Sequence, residues 1–208
     1  MRKINFAICL IILLSFIMAF YFYSKVPSTI PSHWNIQGEV DSYMPKFWGL
    51  FLMPLISVAL FLLFLAIPNI DPLKANIKKF MGYYDLFILS MMLFLFYIYL
   101  LTIFYTIGYR FNMSTAILPA LAILFYMISL LLKNSKRNYF IGIRTPWTIQ
   151  SEKVWNKTHK LGSKLFIALS IIILLSVFMA SYGFYIVIVS ILAVTLYLIY
   201  YSYMQYKK

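Results

Sequence analysis

Lys133-Asn-Ser-Lys-Arg-Asn-Tyr-Phe-Ile-Gly-Ile-Arg-Thr-Pro-Trp-Thr-Ile-Gln-Ser-Glu-Lys-Val-Trp-Asn-Lys-Thr-His-Lys-Leu-Gly-Ser-Lys164 is a polar stretch between long apolar runs. It holds eight of the 18 Lys and Arg residues, two of the four tryptophans and one of the two histidines. A plain connector between two membrane helices needs only about five residues. This one is longer and more specified, and its charge orients everything around it.

The surrounding sequence is that of a membrane protein. The chain is 63% hydrophobic and 11% charged, with a mean hydropathy of +0.87. A soluble domain carries about a quarter charged residues, so too little polar surface exists here to cover a water-soluble globule. Apolar runs able to cross a hydrocarbon core of ~30 Å recur along the chain. Six spans are read: 6–23, 47–67, 83–107, 115–132, 165–181 and 184–203. The expected fold is all-α, a polytopic bundle of six transmembrane helices. It divides into residues 1–82, with two spans, an ordered extracellular loop 24–46 and a cytoplasmic loop 68–82, and residues 83–208, a four-helix domain with the cytoplasmic motif loop 133–164.

The net charge of +13 could suggest nucleic acid, but its distribution is topological. Fifteen of the 18 cations fall at the two termini and in loops two and four; only Lys25, Lys46 and Arg110 fall in the alternate connections. The positive-inside rule then places both termini in the cytoplasm, and the basic loops can also lie against anionic lipid. No direct nucleic-acid partner is expected. Residues 1–23 have signal-peptide-like flanks, but the apolar run is too long and no small-x-small site follows. They read as a retained first span. Cys9, the only cysteine, sits inside it and has no intrachain disulfide partner.

The first loop is punctuated by Pro27, Pro31 and Pro45, and Asn35-Ile-Gln-Gly38 reads as a turn. Ile36, Val40 and Tyr43 give no clean strand period, so an ordered but irregular cap on the membrane surface is expected, with Trp34, Tyr43 and Trp48 as interfacial anchors. His33, Glu39 and Asp41, beside Trp34 and Asn35, could offer ligands to a divalent cation. They could equally form a locally hydrogen-bonded turn, or an acidic contact for a cationic extracellular peptide. In the second loop Asp71 before Pro72 suits a helix N-cap. A helix over Leu73–Phe80 would put Leu73, Ile77 and Phe80 on one face, against the inner leaflet. Asp85, near the start of span three, reads as wet or as paired with Lys78 or Lys79.

The fourth loop divides at Pro146. Before it, Asn138–Arg144 should be extended or turning. After it, Thr145 can cap a helical turn with Pro146 at its first position, and a helix could also begin at Ser151. Glu152, Trp155 and His159 then share one face, Lys153, Lys157 and Lys160 another, and Gly162 would let the chain turn into span five. Arg144 can bridge backbone carbonyls or fork onto a carboxylate such as Glu152. Glu152, Asn156 and His159 could contribute to a polar site, but their spacing is no metal signature. No P-loop, nucleophile elbow, Cys-x-x-Cys or dinucleotide fingerprint is present. No catalytic residue, metal or cofactor is assigned.

Asn138-Tyr-Phe-Ile-Gly-Ile-Arg-Thr-Pro-Trp-Thr148, continued by Ser151-Glu-x-x-Trp155 and Thr158-His-Lys-Leu-Gly162, closely resembles the signature of the SdpI-like membrane proteins. These are the immunity proteins for the sporulation-delaying toxin and their relatives. Ile30-Pro-x-His-Trp-Asn-x-x-Gly-x-x-Asp41 looks like the N-terminal domain of unknown function that accompanies them. The resemblance covers essentially the whole chain. It implies a cell-membrane protein that protects against a secreted, membrane-active peptide toxin and draws a cytoplasmic transcriptional repressor to the membrane. Asn138, Gly142, Arg144, Thr145, Pro146, Trp147, Trp155 and His159 carry over as motif residues. The alternative is a small transporter or membrane-embedded enzyme, with a polar pocket reached from Asp85, Arg144, Glu152 and His159. The two readings differ in geometry, since the second needs those four side chains to converge. A lipid-organising protein with no ligand is a third reading.

Overall fold

The computed structural model describes residues 3–208; Arg2, counted above in the N-terminal charge, lies outside the described residues. Helix α1 (Lys3–Tyr23) leads into strands β1 (Thr29–Trp34) and β2 (Val40–Pro45). Helices α2 (Lys46–Ile70), α3 (Lys74–Lys78), α4 (Met81–Thr106), α5 (Met113–Asn134) and α6 (Pro146–Gln150) follow. Helix α7 (Glu152–Leu175) passes through a 3-10 turn (Ser176–Tyr182) into α8 (Gly183–Tyr206). Six of these helices, α1, α2, α4, α5, α7 and α8, are long and apolar enough to cross a membrane, as the hydropathy pattern predicts.

A helix in hydrocarbon must satisfy its polar groups within the protein. Ser57, Ser90, Thr102 and Thr106 do so locally, each hydroxyl donating to the carbonyl four residues earlier at 2.7–3.0 Å. Tyrosines tie helices together: Tyr84 Oη donates to the Phe64 carbonyl at 3.0 Å, and Tyr97 Oη to that of Ala116 at 3.0 Å. Helices α1, α2 and α4 enclose two buried clusters. One contains Ile8, Phe61, Tyr84, Ile88 and Met92, the other Ala19, Leu50, Phe51, Tyr99 and Ile103. Helices α5, α7 and α8 enclose a third around Leu118, Ala122, Ile173 and Val187. Helix α4 packs on both groups.

The first loop departs from the irregular cap expected of it. It is an antiparallel hairpin, with Thr29 opposite Pro45, Ile30 opposite Met44 and Pro31 opposite Tyr43. The register shifts on either side of His33. Each shift moves side chains to the other face, which is why no period of two was legible. The turn at Asn35–Gly38 forms as predicted: Gly38 N–H donates to the Asn35 carbonyl at 2.9 Å, and Gly38 has a φ of +81°. Ile30 is fully buried in the second cluster, against Gly49, where any side chain would collide with it. At the tip, Asn112 Nδ2 donates to the Gln37 carbonyl at 2.5 Å, and Ser114 Oγ to that of Asn35 at 3.1 Å. Asn112 Oδ1 also caps α5, accepting from Thr115 N–H at 2.8 Å. One side chain therefore starts a helix and holds the hairpin on it.

The cations at this end are folded back onto the protein. Lys25 lies over the Tyr21 ring, Lys46 donates to the Tyr23 carbonyl at 3.1 Å, and Arg110 donates to that of Tyr105 at 2.7 Å. At the opposite end, Ile77 and Phe80 are buried and Leu73 half-buried, while Lys74, Lys78 and Lys79 are exposed. That is the predicted face. The predicted cap is not: Asp71 ends α2, and α3 begins three residues later without a side-chain cap.

Candidate functional site

The motif loop closes the end of the bundle away from the hairpin, and its polar atoms are almost wholly spent on holding it there. Asn138 is fully buried. Its Nδ2 donates to the carbonyls of Lys136 at 2.8 Å and Ile141 at 2.9 Å; its Oδ1 accepts from the N–H groups of Phe140 at 2.9 Å and Ile141 at 2.6 Å. Four bonds from one amide fix the turn. Asp71 reaches across from the end of α2: Oδ1 accepts from Leu73 N–H at 2.6 Å and Oδ2 from Tyr139 N–H at 2.9 Å. Asn76 Nδ2 adds a bond to the Arg137 carbonyl at 2.9 Å.

His159 locks the next segment. Its Nε2 accepts from Ile143 N–H at 2.9 Å, and its Nδ1 lies 2.9 Å from the Trp155 carbonyl. An N–H must meet a lone pair at Nε2, so the proton sits on Nδ1 and the ring is neutral. The ring stacks on Trp155, with centroids 3.9 Å apart. Trp155 Nε1 donates to the Ser135 carbonyl at 3.2 Å, tying α7 to the end of α5. Gly142 has a φ of +112°, and a Cβ there would strike His159 Nε2. Both the backbone angle and the contact require glycine.

Thr145 caps α6 as predicted, with Pro146 in the first turn. Thr145 Oγ1 accepts from Thr148 N–H at 3.2 Å and bonds Ser202 Oγ of α8 at 3.0 Å; Thr148 Oγ1 accepts from Thr145 N–H at 2.9 Å and donates to the Ile143 carbonyl at 2.8 Å. Trp147 packs on Tyr203, with centroids 5.1 Å apart. Ser151 caps α7 through Val154 N–H at 3.3 Å. Helix α7 then continues unbroken, so Gly162 is not a turn. It sits mid-helix where a Cβ would press on the Ile143 side chain 2.5 Å away, and its function is close packing.

The predicted polar face of α7 is only partly correct. Trp155 and His159 are buried, whereas Glu152 and Asn156 are exposed; the buried face also includes Val154, Thr158 and Ser163. Glu152 is the first residue of α7, in its open first turn, and is exposed to solvent. Arg144 is exposed and donates to the Tyr139 carbonyl at 2.9 Å. Among the described residues no ion pair joins it to Glu152. Asp85 is half-buried near the start of α4. Two cavities border the motif, one of about 310 Å³ around Phe64, Tyr84 and Ile143 and one of about 450 Å³ around Lys133, His159 and Ser163. Neither is lined by more than one of Asp85, Arg144, Glu152 and His159. Among the described residues, neither cavity brings these four side chains together.

At the hairpin end, a cavity of about 310 Å³ lies between the hairpin and α2, α4, α5 and α8, lined by Trp34, Met44, Leu52, Thr102, Ile117 and Phe184 among others. A second space of about 380 Å³ adjoins it at His33, Trp34, Asn35 and Asp41. His33 Nδ1 lies 2.5 Å from Asp41 Oδ1, and Asn35 Oδ1 accepts from Glu39 N–H at 3.0 Å. Among the described residues no group of three His, Cys, Asp or Glu side chains could hold a metal ion. Among the described residues the buried Trp34 Nε1–H has no hydrogen-bond partner.

Reasoning from sequence missed Asp71 in its bridging role, and missed Asn76, Asn112, Ser135, Thr148 and Ser202. Asn112, just before an apolar run, carried a readable N-cap signal. Thr148 bonds only three and five positions back; the rest bond across 20 to 68 positions, and nothing local marks them.

A six-helix membrane bundle, with a strapped hairpin at one end and a polar clamp at the other, is the class defined by these features. Residues 134–202 match the SdpI/YfhL protein family, and residues 10–58 match a domain of unknown function, DUF1648. The chain is 27% identical over 207 residues to "Immunity protein SdpI" of Bacillus subtilis (strain 168), covering 99% of this chain and 97% of that protein. The chain is thus similar from end to end to a protein of the SdpI family, with the accompanying N-terminal domain. The SdpI match spans the clamp from Ser135 to Ser202, and the DUF1648 match spans the hairpin and its seat on α2. No solved structure matches the chain.

Proposed function

We propose that this chain is an immunity protein of the cell membrane that gives resistance to a membrane-active peptide toxin. End-to-end similarity to an immunity protein supports this, and the cavity beneath the hairpin carries it. The cavity is mostly apolar, and with the space adjoining it is bordered by the exposed His33–Asp41 pair and by the Trp34 indole N–H, which has no partner among the described residues. An amphipathic peptide could place apolar side chains inside, a carbonyl against Trp34 and a cationic group beside Asp41. The hairpin faces the outside and both termini the cytoplasm, in line with the charge asymmetry. On the motif side, exposed Arg144 and the lysine face of α7 form the surface on which a cytoplasmic repressor docks. Among the described residues, Arg144 gives up only one donor to the fold.

The test is survival of toxin-sensitive cells that express the chain, at matched membrane levels. Wild type should protect. Ile117→Trp, which fills the cavity, should abolish protection, while Arg144→Ala should protect but fail to hold a repressor at the membrane. Absence of protection by wild type refutes the immunity reading. Full protection by Ile117→Trp refutes the cavity as its site.

A further inference from the structure

The cavity of about 450 Å³ between the end of α5 and the first turns of α7 has an unusual lining: Lys133, Lys136, Lys160 and Lys164, with Ser163 at its wall and Ile167 at one edge. Among the described residues none of these four lysines has an acidic partner or a hydrogen bond, and no acidic side chain lines the cavity. Ser163 is buried, with 4% of its surface exposed. Among the described residues its hydroxyl has no hydrogen-bond partner, and the residue lines the cavity. Four exposed lysines, without acidic partners among the described residues, surround one hollow with Ser163 at its wall and make its lining strongly cationic. The end of α5 opposes this with only about half a negative charge from its backbone dipoles.

The depth of the site indicates which anion. Helix α5 is apolar up to Leu132 and becomes basic at Lys133; α7 is basic up to Lys164 and becomes apolar at Leu165. The lysines therefore ring the level at which hydrocarbon gives way to water, and Ile167 continues the wall toward the acyl chains. Basic pockets between membrane helices at that level suit phospholipid headgroups.

We propose that this cavity binds a phosphate anion, carried by the headgroup of an anionic phospholipid. The lysines supply charge and Ser163 donates its hydroxyl to a phosphate oxygen. The ligand would bridge α5 and α7 next to Trp155 and His159, stabilising the motif clamp from its lipid side. The proposal does not depend on the immunity reading.

The test uses the full chain purified in a neutral detergent. The probes are dihexanoyl-phosphatidylglycerol, dihexanoyl-phosphatidylcholine and inorganic phosphate, with affinities measured calorimetrically. Lys133→Gln with Lys160→Gln should weaken phosphatidylglycerol about 25-fold, since each lysine near a headgroup contributes about fivefold. Lys74→Gln with Lys153→Gln removes the same charge from exposed positions outside the cavity and should change affinity less than about twofold. Ser163→Ala should weaken binding with no loss of thermal stability, because the hydroxyl has no partner among the described residues. Equal binding of inorganic phosphate, with the same dependence on Lys133 and Lys160, would identify a free anion as the source. Equal losses in the two lysine pairs, binding of phosphatidylcholine as tight as phosphatidylglycerol, or no binding of either anion would overturn the proposal.

Discussion

Gly142 and Gly108 form a natural control pair for the motif clamp. Both have a left-handed φ, +112° and +111°. A Cβ at Gly108 meets nothing within 4 Å, whereas one at Gly142 strikes His159 Nε2. Alanine at either position incurs the backbone strain of that conformation, about 1–3 kcal/mol. At Gly142 it must also displace the imidazole, break the bond from Ile143 N–H and leave a half-buried donor unmet, a further cost of about 1–3 kcal/mol. Gly142→Ala should thus destabilise the protein by about 2–6 kcal/mol, and Gly108→Ala by only the strain. The difference isolates the lock. Reversible unfolding in mixed micelles measures both variants. A cycle with His159→Ala gives a second reading: once Gly142→Ala has displaced the ring, removing it should cost about 1–3 kcal/mol less than in wild type. Equal costs for the two glycine variants, together with strict additivity in the cycle, would show that His159 does not hold the loop.

Other perturbations separate the parts of the structure. Asn138→Ala strips four hydrogen bonds from a buried turn and should cost about 3 kcal/mol or more in the same unfolding assay. Asp71→Asn leaves a single side-chain oxygen for two backbone donors, so a loss of about 1–3 kcal/mol is expected. Asn112→Ala removes a helix cap worth about 1 kcal/mol. It should speed amide exchange at the hairpin turn around Gly38 while the motif loop stays protected, because the two lie at opposite ends of the bundle. Glu152→Gln, at an exposed position without a partner among the described residues, should shift stability by no more than about 0.5 kcal/mol.

Much of this architecture was readable because it depends on local pattern. Six apolar runs of membrane-spanning length predict six helices, whatever packs against them. Thr145 and Pro146 start α6, and Ser151 starts α7, through bonds that reach only three residues ahead. Trp155 and His159 fall on one face because the helical period puts them there. The Asn35–Gly38 turn needs only its own residues. Where a local signal was ambiguous, the reading went astray. Asp71 before Pro72 fits an N-cap, yet its carboxylate is used 68 positions away at Tyr139. Gly162 looks like a break, yet it is the flat spot that admits Ile143. The hairpin was obscured by the register shifts that let Ile30 reach the core while His33 and Asp41 stay at the surface.

By itself, then, the sequence determined that six segments are long and apolar enough to cross a membrane, how charge divides among its loops, and where α6 and α7 begin, since periodicity, caps and charge asymmetry act over a few residues or through bulk solvation. Only the tertiary structure decided what the motif is for. It showed that the motif's conspicuous polar residues are largely spent as a clamp joining α2, α5, α7 and α8, and that hollow spaces lie beneath the hairpin and beside the clamp. Hydrogen bonds between distant segments form only once packing has set their distances, and no window of sequence contains that information.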